Sequence, residues 1–139
     1  MKIRLASLAL AAVAALSMLA QDATHKASAG VFTKDQSEAG RGGYAEKCAS
    51  CHGDALGGGD VPPALIGGVF ISSWGGQPVF ELFDRIRRGM PPGQEGSLSR
   101  AQTAQIVAFI LSSNDYPAGG SPLPTQDEIL KTIVLDPKH

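Results

Sequence analysis

The chain is short of the residues that usually hold a small domain together. It has two cysteines, Cys48 and Cys51, in 139 residues. Together with His52 and the terminal His139 they reach four possible zinc ligands only by recruiting the last residue, a poor basis for a structural zinc site. A thioredoxin-like redox pair belongs beside a strand-helix-strand pattern, and no convincing strand pattern is present. Aromatic residues make up only 6% of the chain, with a single tryptophan, Trp74. Side chains alone therefore supply a thin core, and a large apolar ligand in the middle would complete it. An excess of positive charge is also missing. The formal net charge is −1, which excludes the clustered basic footprint that nucleic-acid binding demands.

Long apolar runs are absent except at the start. Lys2 and Arg4 precede an apolar and small-residue run from Leu5 to Ala20, followed by polar Gln21 and Asp22. This is the pattern of a Sec-type export signal; the run is shorter than the ~20 residues of a membrane anchor, so cleavage is expected ahead of the alternative, an uncleaved anchor that would hold the protein at the membrane. Ala27-Ser28-Ala29 matches the small-x-small preference of signal peptidase, so cleavage is expected after Ala29. Ala20 offers an earlier site, with the bulkier Met18 two residues before it. The expected organisation is a signal over 1–29 and one domain over 30–139, ending in a tail over 116–139. That mature portion carries nine basic and twelve acidic side chains, a formal charge of −3. Export places it in the periplasm.

Three helices are expected within the domain. The first starts at Thr33, where Thr33 and Gln36 have capping-box spacing, and runs through Tyr44 toward Cys48. Gly40, Gly42 and Gly43 weaken it by ~1 kcal/mol each relative to alanine. Either the helix start frays or some of these glycines admit another backbone. The second begins near Pro78, shows one apolar face of Val79, Phe80, Leu82, Phe83 and Ile86, and stops at Gly89. Its Arg85, Arg87 and Arg88 suit the negative end of the helix dipole. The third starts at a second capping box, Ser99 with Gln102, and ends at Asn114 and Pro117. The stretch Gly53 to Gly76 has many glycines and no clear period, so it reads as a long loop, the kind that wraps something. Asp127 to Val134 fits a short helix or an extended strap.

The most specific signal is Cys48-Ala49-Ser50-Cys51-His52. C-x-x-C-H is the pattern of c-type haem attachment. Two thiols one helical turn apart can add to the two vinyl groups of one porphyrin, and the following histidine then lies under the iron. The second axial ligand follows by elimination. In the mature chain the remaining side chains that commonly ligate low-spin haem are Met90 and His139. His139 is the terminal residue on a poor platform. Met90 stands just after a capped helix, held by Pro91 and Pro92. An isolated methionine is ordinarily core filler, but the haem motif makes this one the expected ligand. His/Met ligation raises the reduction potential, and two filled axial positions leave no open site for substrate.

With these residues in view, the chain resembles a class I cytochrome c. Gly40 and Tyr44 stand eight and four residues before Cys48, where that family places a glycine and an aromatic that pack against the last helix, here against Phe109. Pro63-Ala64-Leu65 is similar to the family's P-x-L segment, which implies that the Pro63 carbonyl orients His52. Trp74 resembles the family tryptophan that bonds a haem propionate, although as a residue it serves equally as a core aromatic. The resemblance implies an all-α fold of three main helices with long loops around one covalent haem c. The segment Phe70 to Gly76, the Met90-Pro91-Pro92-Gly93 loop and the Ile106 to Asn114 helix are similar to cytochromes associated with quinoprotein alcohol dehydrogenases. This implies a non-catalytic electron carrier, with such a dehydrogenase as donor and an oxidase or another cytochrome as acceptor. Two alternatives stand beside it: a permanently bound electron-transfer subunit, with the tail as its strap, and a haem sensor or peroxidase that requires a labile Met90.

Overall fold

The computed structural model describes residues 24–137. The basic start, the apolar run from Leu5 to Ala20, and His139 lie outside the described residues. The described chain is mainly helical. Its helices are α1 (Lys34–Lys47), α2 (Ala49–His52), α3 (Gly67–Trp74), α4 (Val79–Gly89), α5 (Arg100–Ser113) and α6 (Asp127–Leu130). Two very short strands, β1 (His25–Lys26) and β2 (Ile133–Val134), pair in parallel. No helix among the described residues is long and apolar enough to cross a membrane.

Helix α1 begins where the sequence places it. Thr33 is extended and its hydroxyl accepts the Gln36 amide N–H at 3.2 Å, which satisfies one of the orphan donors of the first turn. The reciprocal half of the capping box is not made. The Gln36 side chain instead reaches the tail, donating to the Leu123 carbonyl at 3.0 Å and accepting the Leu123 N–H at 2.7 Å. At Ser99 the full box is present, with both reciprocal bonds near 3 Å.

The core is built on the crossing of α1 and α5. A Cβ added to Gly40 would collide with the Gln105 carbonyl and come within 3.0 Å of Phe109 Cβ. Gly40 is therefore the point at which the two backbones meet. Gly43 faces the Ile106 side chain at 3.4 Å, whereas nothing lies within 4 Å of a Cβ at Gly42. Tyr44 and Phe109 rings are 5.3 Å apart and tilted by 51°, a favourable aromatic arrangement. Around them Ile106, Val107, Ile110 and Leu111 of α5 are buried with Val79, Leu82, Phe83 and Ile86 of α4.

The segment expected to be one long loop contains α3. Its first-turn donor is capped from far along the chain: the Gly67 N–H donates to Asn114 Oδ1 at 3.0 Å, while Asn114 Nδ2 donates to the Leu65 carbonyl at 2.9 Å. Phe70 is buried and anchors the helix. An eight-residue helix starting at Gly-Gly has weak local propensity, so its cap and its buried anchor come from tertiary structure.

The tail combines the two conformations left open for it. It follows the starts of α1 and α5, with Arg100 Nε donating to the Thr125 carbonyl at 2.7 Å and Arg100 also pairing with Asp127. It then forms α6 against α4, where Lys131 lies 5.1 Å from the Phe80 ring centroid. Finally β2 joins β1, and Leu135 exchanges backbone bonds with Gln77 and Gly76. The strap thus grips its own domain. The N-terminal segment belongs to this closure too, since Ala27 is fully buried and the Gly119 N–H donates to the Phe32 carbonyl at 2.7 Å.

Candidate functional site

The junction of α1 and α2 presents Cys48, Cys51 and His52 in one helical turn. Cys48 closes α1, its N–H donating to the Tyr44 carbonyl at 2.8 Å. Its φ of −123° breaks the helix axis there. Its own carbonyl then accepts the N–H groups of Cys51 at 3.1 Å and His52 at 3.0 Å. Gly53, at φ +80°, ends the turn. The Tyr44 hydroxyl donates to the Gly53 carbonyl at 2.7 Å, tying the end of the turn back to α1. Burial, and behind it the negative charge available to Cys48 and Asp54, pushes the Tyr44 phenol up to about 12.

The two cysteines are not bonded to each other. Cys48 is half-buried and Cys51 exposed. Burial, then the neighbouring Cys51, raises the Cys48 thiol above its ordinary range, so Cys48 is held as a neutral thiol.

His52 is 8% exposed, and the loop after it is shaped to hold its ring. Gly58 donates to the His52 carbonyl at 2.8 Å, Gly59 to the Pro62 carbonyl at 2.9 Å, and Leu65 to the Leu56 carbonyl at 2.8 Å. Gly58, at φ +73°, sits so close to Pro62, Pro63 and Ala64 that a Cβ would be within 2.7 Å of their backbone. This folded-back loop brings the Pro63 carbonyl to 3.0 Å from His52 Nδ1. A carbonyl can only accept, so Nδ1 is the donor, and the neutral ring that makes this bond keeps its lone pair on Nε2. That tautomer is the one required of a nitrogen ligand, with the other ring nitrogen oriented by a backbone acceptor.

Met90 follows α4 directly, its N–H bonded to the Ile86 carbonyl at 3.0 Å and its backbone extended. It is one of a set of side chains that pack on the core yet stay partly exposed, together with Cys48, Leu65, Ile66, Ile71 and Trp74. The Trp74 indole N–H makes no hydrogen bond among the described residues. The arginines at the end of α4 divide: Arg88 pairs with Asp84 at 2.6 Å, and Arg87 Nε is buried without a partner among the described residues.

A haem group fits this donor set. Unpaired thiols stand one turn apart, the adjacent histidine has its iron-binding nitrogen free, and half-buried apolar side chains await cover. Among the described residues no three His, Cys, Asp or Glu side chains gather into a metal cage; His139, the fourth ligand a zinc site would need, lies outside them. Sequence reasoning missed the Tyr44 hydroxyl and the Asn114 side chain, both of which brace the site. Tyr44 was legible only as an aromatic at the right spacing, and Asn114 only as a helix terminator.

Comparison with known proteins agrees. The family model described as "Cytochrome C oxidase, cbb3-type, subunit III" matches residues 35–110, which run from the first turn of α1 to within three residues of the end of α5. Among solved structures, a chain of the sulfane dehydrogenase SoxCD from Paracoccus pantotrophus is similar at 26% identity with a TM-score of 0.53, over 76% of the present chain. The chain spans 60% of that relative's length. A search of curated proteins finds no match. The matched segment contains Cys48, Cys51, His52, Pro63 and Met90, and on these grounds the chain belongs to the family of cbb3-type subunit III cytochrome c domains, with the class I cytochrome c fold and the haem-based electron transfer that this family implies.

Proposed function

We propose that the protein is an exported, single-haem electron carrier of the periplasm. On this reading Cys48 and Cys51 attach the haem covalently, and His52 and Met90 are its axial ligands. The observation that carries it is the Pro63–His52 hydrogen bond at 3.0 Å, because it occupies Nδ1 and leaves Nε2 as the nitrogen for iron, one residue beyond the two free thiols. Haem iron supplies a one-electron ferric/ferrous couple; the chain supplies the ligands, the orientation and the dry wall. Met90 sulfur, a soft donor, favours the ferrous form and raises the potential. Trp74 offers its free indole N–H to a haem propionate.

The partners follow from the same reading. Electrons arrive from a dehydrogenase, a quinoprotein enzyme in the subfamily that the sequence resembles, and leave to an oxidase or another cytochrome. The similar solved structure is that of a dehydrogenase, which supports a dehydrogenase donor and also favours a second reading, a subunit that stays bound to its enzyme. The tail does not serve that second reading, since it is spent on α1, α4 and α5 of its own domain.

A direct test is the Met90→Ala variant of the exported protein. Its haem should remain attached, the long-wavelength charge-transfer band of a methionine bond to ferric haem should vanish, and the reduction potential should fall. A wild-type ferric protein that lacks the band, or an unchanged potential in the variant, would rule Met90 out and move the protein toward the sensor or peroxidase class. Co-elution with a dehydrogenase on gel filtration at low salt separates the bound subunit from the free carrier.

A further inference from the structure

The contacts of residues 25–30 bear on where the export signal ends. The His25 N–H donates to the Thr132 carbonyl at 2.9 Å, and β1 pairs with β2 in the register His25 to Ile133 and Lys26 to Val134. Ala27 is fully buried. The Ser28 N–H donates to Asp136 Oδ1 at 3.0 Å and its hydroxyl to Asp136 Oδ2 at 2.5 Å. Partial burial raises the Asp136 carboxyl, but these bonds from Ser28 outweigh it and leave the group below its ordinary range. Gly30, at φ +84°, lies against Gly119: a Cβ on Gly119 would collide with the Gly30 carbonyl, and one on Gly30 would come within 3.0 Å of the Gly119 Cα.

A cut after Ala29 would discard every one of these contacts except the last. It would also place a new α-ammonium group at Gly30, against the Ala118 and Gly119 backbone. The edge of β2, the Asp136 carboxylate and the space filled by Ala27 would all be uncovered. A leader that is removed has no reason to complete the domain it leaves.

We infer that the signal is removed upstream of His25, with Ala20 as the cleavage residue, and that residues 25–30 stay in the mature protein as the N-terminal half of a clasp with the tail. The inference rests on the export reading. Ala20 is the small residue that closes the apolar run, and the choice between it and Ala29 falls to Ala20 because only that cut keeps the clasp. Cleavage there leaves Gln21 and Asp22 in the mature chain, so Lys26 and Asp22 both count toward its charge.

Intact-mass measurement and N-terminal peptide sequencing of the exported holoprotein test this. The expected N-terminus is Gln21, free or cyclised. An N-terminus at Gly30 overturns the inference and leaves the export reading standing, an exported chain that still begins at Met1 overturns the inference in favour of an uncleaved anchor, and haem protein found only in the cytoplasm overturns the export reading itself. A second measurement guards against later trimming by proteases. Asp136→Ala removes the acceptor of both Ser28 bonds and should lower the melting temperature of the holoprotein by about 5 °C. Equal melting of variant and wild type would mean that Ser28 is not held there, and the clasp is wrong.

Discussion

Gly40→Ala is the sharpest test of the α1–α5 crossing. The added methyl group would point at the Gln105 backbone carbonyl, with Phe109 Cβ 3.0 Å away. A backbone carbonyl in mid-helix cannot swing aside, so the helices must separate or shift. Overpacking of this kind costs typically about 1–3 kcal/mol, and a backbone obstacle belongs at the upper end. Alanine returns ~1 kcal/mol of helix propensity, leaving a net loss of about 2 kcal/mol. For a domain of this size each kcal/mol moves Tm by about 4–8 °C, so Gly40→Ala should melt about 8–16 °C below wild type. Gly42→Ala is the control on the same helix. Nothing lies within 4 Å of its added Cβ, so it should gain up to ~1 kcal/mol from propensity alone. Thermal unfolding of both holoproteins, followed by far-ultraviolet circular dichroism, gives the comparison. If Gly40→Ala melts with Gly42→Ala, the close approach does not govern the packing.

Further outcomes follow from the same contacts. Cys48→Ala combined with Cys51→Ala should abolish covalent haem, and persistent haem staining of that variant on a denaturing gel would place attachment elsewhere. The Tyr44 phenol is held at about 12 against an ordinary 10.0, so its burial stabilises the fold fully below pH 10 and that stability is lost as pH rises from 10 toward 12. Tyr44→Phe should lose less stability across that window than wild type does, and parallel melting curves against pH would contradict the assignment. Gln36→Ala leaves the Leu123 N–H and carbonyl without their partner, which should cost about 1–3 kcal/mol and speed proteolysis between Pro117 and Thr125, as read by limited digestion and mass spectrometry.

The haem motif, the three principal helices and their caps at Thr33 and Ser99 were legible in the amino-acid order because each depends on neighbours within four residues. C-x-x-C-H spacing is one helical turn, a capping side chain reaches its own first turn, and the apolar face of Val79 to Ile86 repeats with the helical period. The pairing of Tyr44 with Phe109 was reached only through family resemblance, and the 5.3 Å ring separation bears it out. Pro63 was reached in the same way, and its carbonyl lies 3.0 Å from His52 Nδ1.

What local order could not supply was anything built by distant partners. Helix α3 has poor propensity and exists through a cap from Asn114, 47 residues away. Gln36 has the spacing of a capping box and makes a different bond, because the tail offers it two backbone groups. The three glycines of α1 look alike in sequence. Only the approach of α5 separates Gly40, which has no room, from Gly42, which faces open space. The amino-acid sequence by itself pointed to haem as the cofactor, since the C-x-x-C-H spacing lies within one helical turn and needs no distant partner. Tertiary structure alone decided how the chain closes around it, since the clasp of residues 25–30 with 132–136 joins two ends whose pairing no local pattern encodes.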